Sequence, residues 1–435
     1  MGWGAQTDKR VVEAVIGVFR ESAAESVQLL AGVTQRSWAR SYYWLDASGM
    51  ALYFLDRIRT LRIEDAVPPA TLQRLEQNLA DNRFRSSSMF GEFRALNRAF
   101  QNAGVRYANE KGFSLTAESC PDPSLRYQLD FDFLVDGRDL NACRELLEKR
   151  GYELTFATPT EWQFEAGSSE MPRIEDLYKP PARRSVELHF KCGDDEAQTP
   201  GRDERLDRLV SRTWDADSFP VLSSADQFVE QSLHLLRHLR SPSTRPSWLL
   251  EYKRHITARY DEWQFWDEVR HLSQSLRDAP LATGLATLLS SQMFGSRAPA
   301  QLNEWSVDRL PSAVRLWADR YGRRAVLADN PGTKLHMLLE GEIVRVDSSM
   351  RQKRPSLAQL YRVTQVCHAA PSDGLVKRLR QRYYQARYIG YRVRFHLVEG
   401  ARYFIEQARW KRLLSKLIPA TNAGGGSAEA GLRRI

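Results

Sequence analysis

Two aspartates interrupt an apolar run in the first third of the chain. The segment YQLDFDFLVDGRDL places Asp130 and Asp132 inside a pattern that is typical of a β-strand. Because side chains alternate across a strand, both carboxylates are expected on one face, with Phe131, Phe133 and Val135 on the other. Their Cα atoms would lie roughly 6.5–7 Å apart, which is twice the rise per residue. Two carboxylates at this spacing repel each other, and a divalent cation would relieve the repulsion.

A third acid lies in a second strand-like run, SVELHF, where apolar residues alternate with Glu187 and His189. If the two strands pair side by side, Glu187 completes a three-acid cluster with Asp130 and Asp132. Hard oxygen ligands in this arrangement suit Mg²⁺, often as two ions about 3.5–4 Å apart. We therefore predict these three acids as metal ligands and catalytic residues, and His189 as their packed neighbour. A pair of aspartates on a solvated strand edge is the alternative.

The surrounding sequence predicts an α+β fold with four parts. Apolar residues recur at helical spacing in residues 1–103 and again in residues 223–418, whereas short strand-like runs alternate with helices in residues 104–222. We expect a small mixed sheet in the middle region, flanked by helical N- and C-terminal regions. Residues 419–435 are small and polar, and are predicted to form a disordered tail.

Composition excludes some classes of protein. The chain has 435 residues, of which 42% are apolar and 27% charged, as in ordinary globular domains. No apolar run reaches the roughly 18 residues that a membrane-spanning helix needs. The N-terminus shows no secretory signal pattern, and the four cysteines form no CxxC pair. These features predict a cytoplasmic protein without a transmembrane segment.

The positive charge is concentrated near the C-terminus. Residues 377–416 contain twelve Lys and Arg against two Glu, a net +10, while the whole chain carries +9. Aromatic residues are interleaved with the arginines in this predicted helix. Three interpretations stay open: binding of single-stranded nucleic acid such as RNA, binding of an anionic membrane surface, or aromatic residues that pack on the body below a solvated basic face.

Five short motifs follow one another at a characteristic spacing. In chain order they read EKG, RYQLDFDFLV, RGYEL, VELHF and HLLRH. From about Leu45 to Ala258, roughly half of the chain, this ordered set resembles the uncharacterised nucleotidyltransferase-like family of the polymerase-beta nucleotidyltransferase superfamily. The resemblance implies a sheet of minimal nucleotidyltransferase type, in which the acids hold Mg²⁺ and an incoming nucleoside triphosphate.

The resemblance also implies roles for single residues. An acceptor oxygen would attack the α-phosphorus in line and release pyrophosphate, and Glu187 would deprotonate the acceptor. Four residues would contact the nucleotide: Lys111, Gly112, Ser114 and Arg126. His234 and His238, in the last motif, have a possible metal-ligand spacing but are expected to pack the helix against the sheet domain.

One departure from the family pattern keeps other functions open. The strand before Lys111 is usually apolar in the family, but here it reads VRYANEKG and carries Asn109 and Glu110. The leading hypothesis is an enzyme, a Mg²⁺-dependent nucleotidyltransferase with an unidentified acceptor. The alternatives are a catalytically degenerate member that binds a nucleotide or a partner, and a nucleic-acid- or membrane-binding scaffold that acts through residues 377–416.

Overall fold

One mixed sheet lies between two groups of helices, and the predicted α+β class is confirmed. The computed structural model of the chain describes residues 7–417, with gaps at 116–117, 168–173, 182, 193–198, 215–216, 243, 330–331 and 347–373. The tail predicted at 419–435 lies outside the described residues.

Five helices precede the sheet. They are α1 (Lys9–Gly17), α2 (Ala24–Ala31), α3 (Gln35–Ala47), α4 (Met50–Leu61) and α5 (Pro69–Asn102). Gly49 separates α3 from α4 at φ 73°, a left-handed conformation that glycine adopts without steric cost. The long α5 starts with a proline in its first turn, where the missing N–H removes no helical hydrogen bond. Its inner face supports the sheet.

The sheet has seven strands, and two of its pairings are parallel. The strands are β1 (Tyr107–Glu110), β2 (Phe131–Val135), β3 (Glu153–Ala157), β4 (Glu161–Gly167), β5 (Arg183–His189), β6 (Val210–Trp214) and β7 (Asp217–Val221). Their order is β3-β4-β5-β2-β1-β7-β6, with β2 parallel to β5 and β1 parallel to β7. Helix α6 (Leu140–Glu148) connects β2 to β3. The strand pattern of β7 is hard to detect in the sequence because Pro220 interrupts it.

The alternation predicted for β2 is present in the structure. Phe131, Phe133 and Val135 belong to the core between the sheet and α5, where the Phe133 ring lies 5.1 Å from that of Phe100. Asp132 lies on the opposite face. Burial of the aromatic face therefore determines which face of the sheet carries the acids.

The polar residues of β1 have specific buried partners. Asn109 is fully buried and donates hydrogen bonds to Asn97 Oδ1 on α5, at 2.7 Å, and to the carbonyl of Pro220 on β7, at 2.9 Å. The Tyr107 hydroxyl donates to the same Asn97 Oδ1 at 2.9 Å. Because a buried polar group is costly unless it is hydrogen-bonded, this network accounts for the unusual polarity of the strand.

Nine helices follow the sheet in the described part of the chain. They are α7 (Ser224–Leu239), α8 (Pro246–Ala258), α9 (Trp263–Ser275), α10 (Ala279–Phe294), α11 (Ala300–Trp305), α12 (Ser312–Trp317), α13 (Arg323–Val326), α14 (His336–Val346) and α15 (Leu375–Leu417). Helix α7 packs against α8, α9 and α10, and one of its sides faces the acidic face of the sheet. None of the described helices is long and apolar enough to span a bilayer.

We predict that Phe133→Ala lowers the free energy of unfolding by about 3–5 kcal/mol, because the fully buried ring fills the core beneath the acids. Phe156→Ala is a control in the same sheet, since Phe156 is 51% exposed on the edge strand β3, and should change stability by less than about 1 kcal/mol. Urea unfolding would measure both. Equal losses would show that the aromatic face of β2 is not the main core of the sheet.

Candidate active site

Three acids form a row across three neighbouring strands. The registers pair Glu110 of β1 with Asp132 of β2, and Asp132 with Glu187 of β5. Residues paired across strands lie on the same face, so these carboxylates share the face opposite the aromatic core. Asp132 and Glu187 were predicted from the sequence to lie side by side. Glu110 joins the row only through the strand pairing, which no local sequence pattern indicates.

Asp132 is the most buried member of a compact charged group. Only 5% of the residue is exposed, and its Oδ1 lies 2.6 Å from Lys111 Nζ and 3.2 Å from His189 Nε2. His189 Nε2 also lies 3.6 Å from Glu187 Oε2. Asp132, Glu187 and His189 each offer one ligand atom, and these three atoms all lie within 4.8 Å of one another. This group has the dimensions of a metal centre.

Opposite charges determine the protonation states in this group. Burial alone would raise the pKa of Asp132, but Lys111 and His189 outweigh it and hold the pKa below its usual range. Burial would lower the pKa of His189, but its hydrogen bonds to Asp132 and Glu187 raise that pKa to about 9. His189 is therefore protonated at neutral pH, and an ammonium and an imidazolium together compensate the carboxylates.

Asp130 differs from the other acids. It lies directly before β2 and outside the group of ligand atoms within 4.8 Å of one another. Burial and the charges of Asp132 and Glu187 raise the pKa of Asp130 to about 7. Its carboxylate makes no hydrogen bond or ion pair with a described residue. Asp130 is thus a carboxylate that exchanges a proton near neutral pH, within the electrostatic reach of the other two acids.

The backbone at Lys111 and Gly112 is in an unusual conformation. Both residues have positive φ, 50° for Lys111 and 45° for Gly112. A Cβ at Gly112 would meet the side-chain amide of Gln128 at 1.9 Å, so a larger residue would have to displace that amide and also adopt a strained positive φ. Non-glycine residues adopt positive φ at an energetic cost and are concentrated at functional sites. This turn directs the Lys111 side chain toward Asp132.

Ser114 and Arg126, the other predicted nucleotide contacts, bind protein groups. The Ser114 hydroxyl donates to the Lys111 carbonyl at 2.6 Å and so supports the strained turn. Arg126 Nε lies 3.3 Å from Glu251 Oε1, and Arg126 Nη1 donates to Gln128 Oε1 at 2.8 Å. Contact of these two residues with a nucleotide stays a prediction.

A cavity of about 540 Å³ opens beside the acid row, between the sheet and α7. Its basic lining residues are Lys111, His189, Arg205, Arg237, Arg240 and Arg277. The cavity is large enough for a nucleotide, whose phosphates need positive charge. No sequence pattern indicated the four arginines, because they come from separate segments and follow no common spacing.

Two of these arginines illustrate different environments. Arg205 donates to Asp203 at 2.8 Å and also pairs with Glu230 and Glu110, so its charge is largely compensated. Arg237 is exposed on α7 and makes no ion pair with a described residue. Arg237 is therefore the arginine with the most freedom to bind an anion in the cavity.

The two histidines of the HLLRH motif pack against an aromatic ring. The His234 and His238 rings lie 4.5 Å apart, and they lie 4.6 and 4.3 Å from the ring of Trp248 on α8. Burial, followed by the charge of His238, lowers the pKa of His234 well below its usual value. Neither histidine belongs to a metal-ligand cluster among the described residues. Their ring contacts are therefore with helix α8, whereas packing of α7 against the sheet domain through these histidines stays a prediction.

A mixed sheet with a row of acids beside a basic cavity is the architecture that a nucleotidyltransferase requires. The chain belongs to the family described as uncharacterised nucleotidyltransferase, whose model matches residues 34–295. No curated protein matches the chain.

Two solved structures are similar to parts of the chain. One is the lincosamide antibiotic adenylyltransferase LnuA bound to lincomycin, with 12% identity and a TM-score of 0.24, covering 36% of this chain and 89% of that one. The other is an antigenic nucleotidyltransferase-like protein from Paracoccidioides brasiliensis, with 12% identity and a TM-score of 0.27, covering 48% of this chain and 93% of that one.

We predict that Lys111→Met destabilises the metal-free protein by about 1–3 kcal/mol, because it leaves a buried carboxylate without its nearest cation. Millimolar MgCl2 should restore more stability in this variant than in the wild type. Urea unfolding with and without EDTA measures both effects. Lys191→Met is the matched control, since Lys191 forms an exposed ion pair with Glu204. A variant that is as stable as the wild type and unresponsive to Mg²⁺ would contradict this account.

The raised pKa of Asp130 predicts a pH dependence in the metal-free protein. The unfolded carboxyl ionises near pH 4 and the folded one near pH 7, so its contribution to folding is lost as the pH rises through about 7. Asp130→Asn should flatten this part of the profile and be more stable than the wild type at pH 8. Urea unfolding between pH 5 and 8 measures the pH dependence of the free energy of unfolding. Asp267→Asn, on the exposed side of α9, is the control. Parallel profiles for Asp130→Asn and wild type would contradict the assignment.

Proposed function

We propose that the protein is a Mg²⁺-dependent nucleotidyltransferase that transfers a nucleoside monophosphate from a nucleoside triphosphate to an unidentified acceptor. The observation that carries the proposal is the direct pairing of Asp132 with Glu187 on the parallel strands β2 and β5, in contact with Lys111 and His189, which line the cavity. Family membership supports the same class of reaction. The cytoplasm, where nucleoside triphosphates are abundant and thiols stay reduced, is the proposed location.

The acid group has the chemistry of a divalent cation site. Lys111 Nζ, 2.6 Å from Asp132 Oδ1, already places one positive charge among the carboxylates. Mg²⁺ prefers oxygen ligands, so Asp132 and Glu187 would hold it, whereas Asp130 lies outside their ligand group and His189 would stay a hydrogen-bonding neighbour. Bound Mg²⁺ would neutralise charge on the phosphates and on the attacking and leaving oxygens.

The residues around the metal ligands would bind the phosphates and accept the proton of the acceptor. Lys111 and Arg237 line the cavity and would bind phosphate oxygens of the nucleotide. For Lys111 this requires that its ion pair with Asp132 first breaks. Asp130 would accept the proton of the acceptor, since a base with a pKa of about 7 suits neutral pH. Sequence reasoning favoured Glu187 for this step, but Glu187 lies in the ligand group with Asp132 and His189.

A catalytically degenerate protein that binds a nucleotide without turnover is the second candidate. The observation that favours it is the Lys111–Asp132 ion pair, which takes up a carboxylate oxygen that a metal would need. In this alternative the ion pair persists when nucleotide binds. The two candidates therefore differ in whether Mg²⁺ displaces Lys111 from Asp132.

We predict that a nucleoside triphosphate with Mg²⁺ stabilises the protein by about 2.7 kcal/mol at a hundredfold excess over its dissociation constant, and that either alone has little effect. With α-³²P-labelled nucleotide and a cell extract as acceptor source, label should transfer to an acceptor. Asp132→Asn and Glu187→Gln should lower transfer at least about 100-fold, since each removes a charged ligand of the Mg²⁺ that would stabilise the reacting phosphate.

Glu145→Gln on α6 and Asp176→Asn are matched controls, because both residues are exposed and outside the cavity. Stabilisation by nucleotide without any label transfer would favour the degenerate candidate. Undiminished stabilisation in the Asp132→Asn, Glu187→Gln double variant would show that nucleotide binds elsewhere and would refute the proposed site.

A further inference from the structure

Helix α15 carries an unusual concentration of exposed apolar side chains. Among the described residues, eleven of the twenty exposed large hydrophobic side chains belong to this one helix. Soluble proteins rarely leave contiguous apolar surface exposed unless it binds something. The helix therefore needs an explanation beyond packing on its own domain.

The inner side of α15 is attached to the protein body. Trp410 is 3% exposed, its ring lies 5.8 Å from that of Tyr321, and its indole N–H donates to Glu342 Oε1 at 3.0 Å. Toward the N-terminus, Tyr388 and Tyr391 lie on the same side and are partly buried. The interpretation in which aromatic residues pack on the body therefore accounts for this side of the helix.

The outer side is apolar along most of its length. Leu379, Val393, Leu397 and Phe404 are 55%, 52%, 68% and 69% exposed. They are separated by 14, 4 and 7 residues, close to whole numbers of helical turns, so they form one stripe. We call these four residues the apolar stripe. It lies opposite Trp410, and the described part of the protein body does not cover it.

A line of cations runs beside the apolar stripe. Arg380, Arg387 and Arg394 are all exposed and follow one another at intervals of seven residues, which is close to two helical turns. The acids of α15, Glu399 and Glu406, are only 7% and 8% exposed. The outer side of α15 therefore combines apolar side chains with positive charge that no exposed acid of the helix compensates.

We propose that this side of α15 lies on the surface of an anionic lipid bilayer. The apolar stripe would enter the boundary between headgroups and acyl chains, and the arginines would bind lipid phosphates, as in helices that lie in the membrane interface. The charge of the segment 377–416, +10, is complementary to such a surface. This inference is independent of the nucleotidyltransferase chemistry and adds a binding site to it.

Two other occupants fit the helix less well. Single-stranded RNA would need a series of neighbouring exposed rings for base stacking. Tyr388 and Tyr391 are partly buried, and the exposed rings of Tyr383 and Phe404 are 21 residues apart, roughly 31 Å along a helix. A second copy of the chain would bring two strongly basic surfaces together, and like charges at an interface repel. Lipid satisfies both the aliphatic and the cationic components.

The experiment is co-sedimentation of the full chain with vesicles. Binding is expected to phosphatidylcholine vesicles that contain phosphatidylserine, to weaken with salt, and to be far weaker with phosphatidylcholine alone. The triple variant Leu379→Gln, Leu397→Gln, Phe404→Gln should bind at least about tenfold more weakly. Replacing Arg380, Arg387 and Arg394 by Gln should weaken binding by roughly 100-fold.

A matched control replaces three apolar residues that are equally exposed elsewhere. Phe84→Gln, Phe156→Gln and Trp263→Gln together should leave vesicle binding unchanged, because these residues lie outside α15. All the substituted side chains are exposed, so circular dichroism should show the wild-type helix content for each variant. Asp132→Asn should bind vesicles like the wild type, which separates this inference from the proposed activity.

Three results would overturn the proposal. The first is that the triple variant Leu379→Gln, Leu397→Gln, Phe404→Gln, called the apolar-stripe variant, binds anionic vesicles as tightly as the wild type does. The second is tight binding of single-stranded RNA that Tyr383→Leu abolishes, with no binding to vesicles. The third is a wild-type dimer in light scattering that the apolar-stripe variant converts to a monomer, which would make the stripe an interface between copies of the chain.

Discussion

The ion pair between Lys111 and Asp132 is the constraint on which the site depends. A carboxylate that is 5% exposed is costly to ionise, and the nearby ammonium and imidazolium make its ionised form stable. The lysine of this pair lies in a strained turn, where Lys111 and Gly112 both have positive φ. The fold thus holds an ammonium and a carboxylate together at a cost in stability. A metal ion could replace the ammonium beside Asp132, and a phosphate could replace the carboxylate beside Lys111.

The fold holds these charges by using the two faces of the sheet differently. Aromatic packing against α5 fixes the orientation of β2, and parallel pairing with β5 brings Glu187 beside Asp132. Hydrogen bonds from Asn109 anchor β1 to α5 and β7, so that Lys111 at the end of this strand is also fixed. A site that is supported by core packing and buried hydrogen bonds is pre-organised, and this is what electrostatic catalysis requires.

The proposed membrane surface and the proposed active site occupy different parts of the chain. The family match ends at residue 295, whereas α15 begins at Leu375. The family therefore carries no information about α15, and the case for lipid binding depends on exposure and charge alone. If both proposals hold, the enzyme would work beside a membrane, and an acceptor in or near the lipid surface would be close to it.

The local patterns of strands and helices could be predicted from the sequence. Period-two alternation placed Asp132 opposite Phe131 and Phe133, and helical periodicity predicted a helical region up to residue 103, where α5 ends at Asn102. The four-residue β1 was found despite its polar residues. Such patterns can be recognised in a sequence because side chains return to the same face every two residues in a strand and every 3.6 residues in a helix.

Only the tertiary structure decided which distant residues meet. The row from Glu110 to Glu187 depends on the pairing of three strands, and the cavity arginines come from segments that share no period. The two sides of α15 look similar in the sequence, since both contain apolar residues and arginines. Packing of Trp410 on the body decides which side is buried, because the free energy of burial depends on what surface lies opposite, and no local pattern records that.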